Sequence, residues 1–279
     1  MQKNILRMES QVGDIPLTQY PRRELVRDSY LNLNGIWNKG VVVPYPLQSL
    51  NSKYRMKLVP DEFTYMRDFT VPSDFIRDRV ILHFGAVDQV AEIFIDGRYI
   101  GKHEGGYLPF SYDITEFVRP NEEQVLRVRI IDRLSHIYPY GKQRRMRGGM
   151  WYTPVSGIWQ TVWMESVWKD YVQDIKIKPD LKGIDLKIKS TASYFDVDIL
   201  YPSQDPNQKV VKNIKLSKYM DTMGSCIEKR IDLENPHLWS PEEPNLYDIR
   251  IRAYNDLDGK SYDDIVAEGF EEGEQHDIV

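Results

Sequence analysis

The stretch "GKQRRMRGGMWY", residues 141–152, carries residue types that could bind an anionic group or stack on a flat apolar surface of a ligand. Its cations are Lys142, Arg144, Arg145 and Arg147. An arginine binds a carboxylate through two parallel hydrogen bonds, and an aromatic ring offers a flat apolar face for stacking. We therefore take five candidate ligand-binding residues, which are Trp151, Tyr152, Arg147, Lys142 and Gln143.

The same stretch has two other interpretations. Runs of cations in glycine-containing loops usually form solvated surface. The cations could also contact a partner domain rather than a small ligand. The sequence leaves these alternatives open, and an acidic ligand such as a uronic acid is one hypothesis among them, because arginine forks suit carboxylates.

Motifs for several other chemistries do not occur in the sequence. No two glycines are separated by a single residue, so a G-x-G-x-x-G loop is excluded, and no phosphate-binding G-x-x-x-x-G-K-[ST] occurs either. The five histidines are scattered, and Cys226 is the only cysteine. We therefore expect no metal site, no intrachain disulfide and no cofactor.

Composition limits the partners. The 279 residues are 41% hydrophobic, which is enough for two domains with proper cores. A net charge of −5 gives no general attraction to nucleic acid or to a membrane surface, so we expect neither as a partner. We find no apolar span of membrane length and no signal peptide, and expect a soluble chain, either cytoplasmic or periplasmic. A signal peptide that had been removed would leave no trace.

The elements that must position the loop are short β-strands. Alternating or β-branched runs bounded by turn residues predict strands at 80–84, 91–95, 98–103, 125–131 and 161–165. Asp96-Gly97 predicts a two-residue hairpin turn, and Asp88 and Asp113 are expected to hold turns through backbone hydrogen bonds. His83 and His103 are each expected to be a structural histidine whose hydrogen bonds are satisfied.

The predicted fold is all-β, with two sandwich domains. Residues 1–30 form an N-terminal arm, 31–168 a first domain, 169–270 a second antiparallel sandwich, and 271–279 an acidic tail that is expected to fray. Trp239 is expected to fill the core of the second sandwich. The run "SGIWQTVWMESV", residues 156–167, alternates as one strand that places Trp159 and Trp163 on the same face, where we expect core or interdomain packing.

Three stretches resemble glycoside hydrolase family 2, the β-galactosidase and β-glucuronidase family. They are "FGAVDQVAEIFIDGRYIGKHEGGYLPFSYDITEFV" at 84–118, "YGKQ" with "WYTPVSGIWQTVWMESV" at 140–167, and "ENPHLWSPEEPNLYDIRI" at 234–251. The resemblance implies a jelly-roll sugar-binding domain at 31–168, followed by an immunoglobulin-like sandwich at 169–270. It also implies that the two catalytic glutamates belong to a third domain, a TIM barrel of about 250 residues.

Two departures from the family pattern affect function. The family pattern thins out at 263–272, so we expect no catalytic barrel in this chain and no hydrolysis by the chain alone. Where well-known members send an aspartate from the loop toward the substrate, this sequence has Gly149. We expect no catalytic residue among these 279.

The resemblance thus predicts a non-catalytic portion of a family 2 glycosidase-like protein, with a carbohydrate-binding or scaffolding role in carbohydrate metabolism. One alternative is a fragment of an active retaining β-glycosidase whose barrel lies beyond this chain. Another is a structural docking module that binds no sugar. The expected partners are a weakly bound carbohydrate and a missing or separate barrel domain, and self-association into a homo-oligomer stays open.

Overall fold

The computed structural model describes residues 15–54, 59–145, 148–219, 222–223, 226–255 and 262–270. Within these ranges the chain forms β-strands and short 3-10 turns, and no α-helix. The strands are β1 Tyr30–Asn32, β2 Gly35–Ile36, β3 Val42–Val43, β4 Glu62–Thr70, β5 Arg79–Phe84, β6 Val87–Asp88, β7 Val90–Ile95, β8 Arg98–Glu104, β9 Phe110–Asp113, β10 Glu123–Ile131, β11 Gly157–Ile158, β12 Val162–Val167, β13 Val172–Asp180, β14 Gly183–Ser190, β15 Tyr194–Tyr201, β16 Lys209–Ser217, β17 Thr222–Met223, β18 Cys226–Asp232, β19 Tyr247–Tyr254 and β20 Asp263–Phe270. The 3-10 turns are Arg23–Leu25, Asn38–Gly40, Leu50–Ser52, Ser73–Phe75 and Thr115–Phe117.

The first compact unit comprises residues 15–21 and 29–166. Its two four-stranded sheets have the orders β1-β12-β5-β9 and β4-β10-β7-β8, and two short pairs, β11-β6 and β2-β3, accompany them. Strand β10 shows why the sequence forms this layer. Leu126, Val128 and Ile130 alternate with polar residues and are fully buried in the core of the unit.

The Asp96-Gly97 hairpin forms as the sequence predicts. Asp96 has a φ of 49° and Gly97 a φ of 80°, which are the positive values that a type I′ turn needs at both central residues. The Asp96 carboxylate accepts a hydrogen bond from the backbone N–H of Val125 at 2.9 Å. The turn is thereby tied to β10, the strand that pairs with β7.

The second compact unit comprises residues 22–28 together with the described residues from Val167 onward. Its two sheets have the orders β13-β14-β18-β17 and β16-β15-β19-β20, and a separate apolar core belongs to it. The predicted arm, residues 1–30, is therefore divided, because 15–21 belong to the first unit and 22–28 to the second. The interpretation of Trp239 as a core residue is wrong, since 39% of its surface is exposed.

The predicted single strand at 156–167 is interrupted. Strand β11 pairs with β6, whereas β12 pairs with β1, so the chain changes partners across residues 159–161. The backbone oxygen of Thr161 accepts a hydrogen bond from Gly85 at 2.9 Å within the interruption. Trp159 and Trp163 consequently lie in different environments, although the alternation of the sequence places them on one face.

Candidate functional site

The candidate loop, residues 132–156, leaves strand β10 and returns to β11. At its start the Asp132 N–H donates to the Asp61 carbonyl at 2.8 Å. At its end the Ser156 N–H donates to the Gln48 side chain at 2.9 Å, and the Gln48 amide donates to the Ser156 hydroxyl at 2.7 Å. Both ends of the loop are therefore held by defined hydrogen bonds.

A parallel β-bridge between Gln143 and Tyr152 orders the middle of the loop. The Tyr152 N–H donates to the Lys142 carbonyl at 2.8 Å, and the Arg144 N–H donates to the Tyr152 carbonyl at 3.1 Å. The turn that brings the two segments together includes Gly149, whose φ of 60° is in the left-handed region that suits glycine. The bridge therefore brings the two ends of the cationic stretch side by side.

The bridge divides the candidate residues between two faces. Residues directly opposite each other in a sheet share a face, and their chain neighbours point the other way. Gln143 and Tyr152 therefore form one face, which we call the Tyr152 face. Arg144 and Trp151 form the opposite one, which we call the Arg144 face. The guanidinium carbon of Arg144 indeed lies 3.7 Å from the centroid of the Trp151 ring.

The Tyr152 face has one exposed aromatic ring and one side-chain amide that is already hydrogen-bonded to the backbone. The Tyr152 side chain is 66% exposed, so its ring is accessible to a ligand. The Gln143 Oε1 accepts a hydrogen bond from the Val155 N–H at 2.7 Å, which shapes the exit of the loop. Gln143 therefore has a structural role that the sequence does not reveal, and Tyr152 is the better candidate for stacking.

The cations of the loop differ in their partners. Arg145 forms an ion pair with Asp61. Within the described ranges, no ion pair involves Lys142 or Arg144, and both residues are exposed. The fifth candidate, Arg147, lies outside the described residues.

Trp159 belongs to a neighbouring turn rather than to the loop. Its indole N–H donates to the Gly106 carbonyl at 2.8 Å, and its ring meets the exposed Tyr107 ring edge-on, with the ring centroids 6.4 Å apart.

A Cβ at Gly106 would lie 2.5 Å from Oδ1 of Asp88. The glycine is therefore required because a buried carboxylate occupies the space of a side chain.

Asp88 is a feature that the sequence interpretation missed. Asp113 does hold a turn, because its carboxylate accepts the Thr115 N–H at 3.1 Å. Asp88 is instead buried. Its burial is the larger cause, and the nearby charge of Asp132 the smaller cause, of a pKa raised to about 7. Burial also raises the pKa of Asp132. Two carboxyl groups that share one environment cannot both ionise without cost, and residue spacing alone does not show this.

Trp163 is buried within a polar cluster. Its ring stacks on His83 with centroids 4.8 Å apart, and its indole N–H donates to the Glu165 carboxylate at 3.2 Å. Nδ1 of His83 lies 2.7 Å from the Ser111 hydroxyl, and Nε2 lies 3.4 Å from the Glu165 carboxylate. His83 thus has a polar group near each of its ring nitrogens. The neighbouring residues Val162 and Met164 lie in the apolar core of the first unit instead.

No group of three or more metal-ligating side chains occurs in the part of the chain that the structure describes. The same ranges contain no helix that is long and apolar enough to cross a membrane.

Comparison with known families agrees with this architecture. Residues 33–165 match the sugar-binding domain of glycosyl hydrolase family 2, and residues 170–268 match a second domain model of glycosyl hydrolases family 2. The chain belongs to glycosyl hydrolase family 2. The predicted resemblance and the predicted fold class, a jelly-roll sandwich followed by an immunoglobulin-like sandwich, are confirmed.

Two curated relatives show how much of the family's length this chain represents. A β-galactosidase of Thermoanaerobacter pseudethanolicus is 24% identical over 201 residues, which are 67% of this chain and 25% of the relative. A β-glucuronidase of Streptococcus agalactiae is 23% identical over 267 residues, which are 85% of this chain and 43% of the relative. The chain thus spans less than half the length of either relative.

A solved structure has the same fold. The β-glucuronidase of Bifidobacterium dentium, complexed with coumarin-3-O-glucuronide, superposes with a TM-score of 0.70 at 16% identity. The match covers 93% of this chain and 50% of that one. At this identity the likeness shows the fold alone.

Proposed function

We infer that this chain is the non-catalytic, carbohydrate-binding and scaffolding portion of a family 2 glycosidase. The single observation that carries this inference is the candidate loop, which is held at both ends and presents the exposed Tyr152 ring from an ordered β-bridge. An aromatic ring that is already ordered stacks on a sugar with less loss of conformational entropy than a ring on a loose loop. The match to the family's sugar-binding domain supports the same role.

Titration with a panel of neutral and acidic saccharides tests this role. A ligand that binds only the folded chain raises the unfolding midpoint in a saturable way. We expect a neutral sugar to raise the midpoint in the 279-residue chain, and Tyr152→Ala to abolish that rise. Tyr219→Ala is the matched control, because Tyr219 is 81% exposed but lies in the second unit.

No response to any saccharide would reject direct sugar binding. The scaffolding role would then be the remaining part of the proposal. A response that survives Tyr152→Ala would reject the candidate loop as the stacking site, although sugar binding by the domain would stand.

A second candidate function is supported by the named relatives. They are β-galactosidases and β-glucuronidases that are much longer than the region they share with this chain. On this proposal the chain is a fragment of an active retaining β-glycosidase, and its partner is a catalytic TIM barrel beyond the fragment. We expect the 279-residue chain alone not to hydrolyse aryl β-glycosides. Hydrolysis that persists through purification controls would contradict two claims. One is that catalysis needs a barrel outside this chain, and the other is that this chain is non-catalytic.

A further inference from the structure

We propose that Ser111 is a nucleophile toward activated acyl esters, with His83 as its general base and Glu165 as the group that orients the imidazole. The three side chains form a row across the sheet β1-β12-β5-β9 of the first unit. This reactivity goes beyond the proposed carbohydrate-binding and scaffolding role. That role concerns glycosides and requires none of these three residues.

The backbone of three neighbouring strands positions the row. Ser111 on β9 and His83 on β5 are directly opposite each other in the antiparallel register, so their side chains leave from the same face of the sheet. Glu165 lies on β12, the strand on the other side of β5. All three groups therefore start from paired strands rather than from loops, which favours a fixed mutual geometry.

The distances give each ring nitrogen of His83 a different role. Nδ1 lies 2.7 Å from the hydroxyl of Ser111, and Nε2 lies 3.4 Å from Oε2 of Glu165. An ionised carboxylate only accepts hydrogen bonds, so it favours the tautomer of neutral imidazole with its proton on Nε2. The lone pair of Nδ1 then accepts the proton of the serine hydroxyl. These are the roles of a serine, a histidine and an acid in a nucleophilic triad.

Two further side chains hold the acid and the base in place. The Trp163 indole donates to Oε1 of Glu165 at 3.2 Å, and the Tyr20 hydroxyl donates to the same oxygen. Both donors stabilise the ionised carboxylate, while Oε2 remains directed toward His83. The Trp163 ring also stacks on the imidazole with an interplanar angle of 10°. The stacking fixes the plane of the imidazole, and the π face of Trp163 favours the imidazolium that forms when the base takes a proton.

Burial increases along the row from the nucleophile to the acid. Ser111 is exposed, whereas the side chains of His83 and Glu165 are 8% and 1% exposed. An acyl donor in solution can therefore reach the hydroxyl, while the base and the acid behind it are shielded from water. The three side chains supply no donor for an oxyanion. We therefore expect reaction with esters that have good leaving groups, and not with amides.

The proposed step is a transfer of an acyl group to serine. The Oγ of Ser111 attacks the acyl carbon, so a bond forms between Oγ and that carbon while the bond from the carbon to the leaving oxygen breaks. The hydroxyl proton moves to Nδ1 of His83, and from there to the leaving oxygen or to solvent. The products are an acyl ester of Ser111 and the free alcohol or phenol, and no other reactant is needed.

Acetylation of the 279-residue chain by p-nitrophenyl acetate tests the proposal. Peptide mass spectrometry over time measures the rate at each serine. Ser73 is the internal comparison, because it is exposed in the same unit but lies on a 3-10 turn outside the row. We expect Ser111 to be acetylated about 100-fold faster than Ser73, which is the lower end of the range for general base catalysis. Ser111→Ala should remove the fast release of nitrophenolate, and Ser73→Ala should leave it unchanged.

Substitutions behind the serine test the base and the acid. His83→Gln should lower the acetylation rate of Ser111 about 100-fold, to the rate of Ser73, because an amide can hydrogen-bond to the hydroxyl but cannot take its proton. Glu165→Gln should lower it about tenfold or more, because it removes the charge that sets the tautomer. A purely structural role of either residue predicts no change of this rate in a variant whose thermal unfolding shows that it is folded.

A second pair of variants does not depend on buried substitutions. Ser111→Cys and Ser73→Cys each place a thiol at an exposed position. The thiol at position 111 should be acetylated at least tenfold faster than the thiol at position 73, because His83 takes its proton. This comparison decides the role of His83 if His83→Gln does not fold.

Equal acetylation rates at Ser111 and Ser73 would overturn the proposal. Fast acetylation of Ser111 that persists in folded His83→Gln, or equal rates for the two thiols, would reject His83 as the base. Saccharide titration measures the carbohydrate-binding role separately. A failure of either proposal therefore leaves the other intact.

Discussion

Arg27 and Asp263 form a buried ion pair with two parallel hydrogen bonds, from Nε to Oδ1 at 3.0 Å and from Nη2 to Oδ2 at 2.9 Å. The two side chains are 1% and 0% exposed. Asp263 also accepts the N–H of Val172 at 2.8 Å. The pair therefore joins segment 22–28 to strands β13 and β20 of the second sandwich.

Removing Arg27 should strongly destabilise the second sandwich. Arg27→Ala leaves the Asp263 carboxylate buried without its cation, which costs about 3–5 kcal/mol in the free energy of unfolding. Arg230→Ala is the control, because Arg230 pairs with Asp180 at the surface, where the loss is about 1 kcal/mol or less. Urea unfolding followed by circular dichroism measures both. Equal losses in the two variants would contradict a special role for the buried pair.

The buried carboxyl of Asp88 should make the first unit less stable as the pH rises. Burial, together with the charge of Asp132, raises the pKa of Asp88 from 3.8 to about 7. Between these values the folded chain holds a proton that the unfolded chain has released, so stability falls as the pH rises from about 4 to about 7. Asp88→Asn mimics the neutral form and should raise the unfolding midpoint at pH 8 by about 3 °C.

Asp180 provides a control of opposite sign for the pH experiment. Its hydrogen bond from Arg230 lowers the pKa of its carboxyl from 3.8 to about 2. Its contribution to stability is present above pH 4 and is lost as the pH falls toward 2. Thermal scans from pH 2 to 8 should therefore show a loss of the Asp180 contribution below pH 4, and a gain for Asp88→Asn that grows as the pH rises above 4. A gain of the same size at pH 4 and pH 8 would contradict the protonation argument.

Gly157 should not tolerate a side chain. Its φ is 90°, and a Cβ there would lie 2.3 Å from the Tyr65 hydroxyl, which is buried. Gly157→Ala combines backbone strain with a steric clash, and we expect it to cost about 2 kcal/mol or more. Gly97→Ala is the matched control, because Gly97 has a φ of 80° with open space around it, and should cost about 1 kcal/mol. Chemical unfolding that ranks Gly97→Ala as the worse variant would contradict the role of the clash.

The hydroxyl of Tyr20 should stabilise the buried carboxylate of Glu165. Tyr20 donates to Oε1 of Glu165, and the indole of Trp163 donates to the same oxygen at 3.2 Å. Tyr20→Phe removes one donor and should cost about 1.5–3 kcal/mol, the range for hydrogen bonds to charged groups. Tyr219→Phe, at an exposed position, should change the free energy of unfolding by less than about 0.5 kcal/mol. Urea unfolding of both variants measures the difference. Equal free energies of unfolding for the two variants would contradict a stabilising role of the Tyr20 hydroxyl.

The residues that the sequence placed correctly are those governed by local rules. Asp96-Gly97 forms its hairpin because two positive φ angles are a property of two adjacent residues. Strand β10 was predicted from side-chain alternation, and its apolar residues are the buried ones. The prediction of one continuous strand at 156–167 was wrong, because the same alternation continues across residues 159–161, where the chain changes partners from β6 to β1.

The sequence by itself determined the all-β class, the two sandwiches, the family and the position of the candidate loop. Only the tertiary structure decided that the Arg144 guanidinium stacks on the Trp151 ring, that burial beside Asp132 raises the pKa of Asp88, and that Arg27 is buried against Asp263. The physical reason is distance along the chain. Turn and strand preferences act over a few residues, whereas burial, charge coupling and ion pairing depend on groups that only folding brings together.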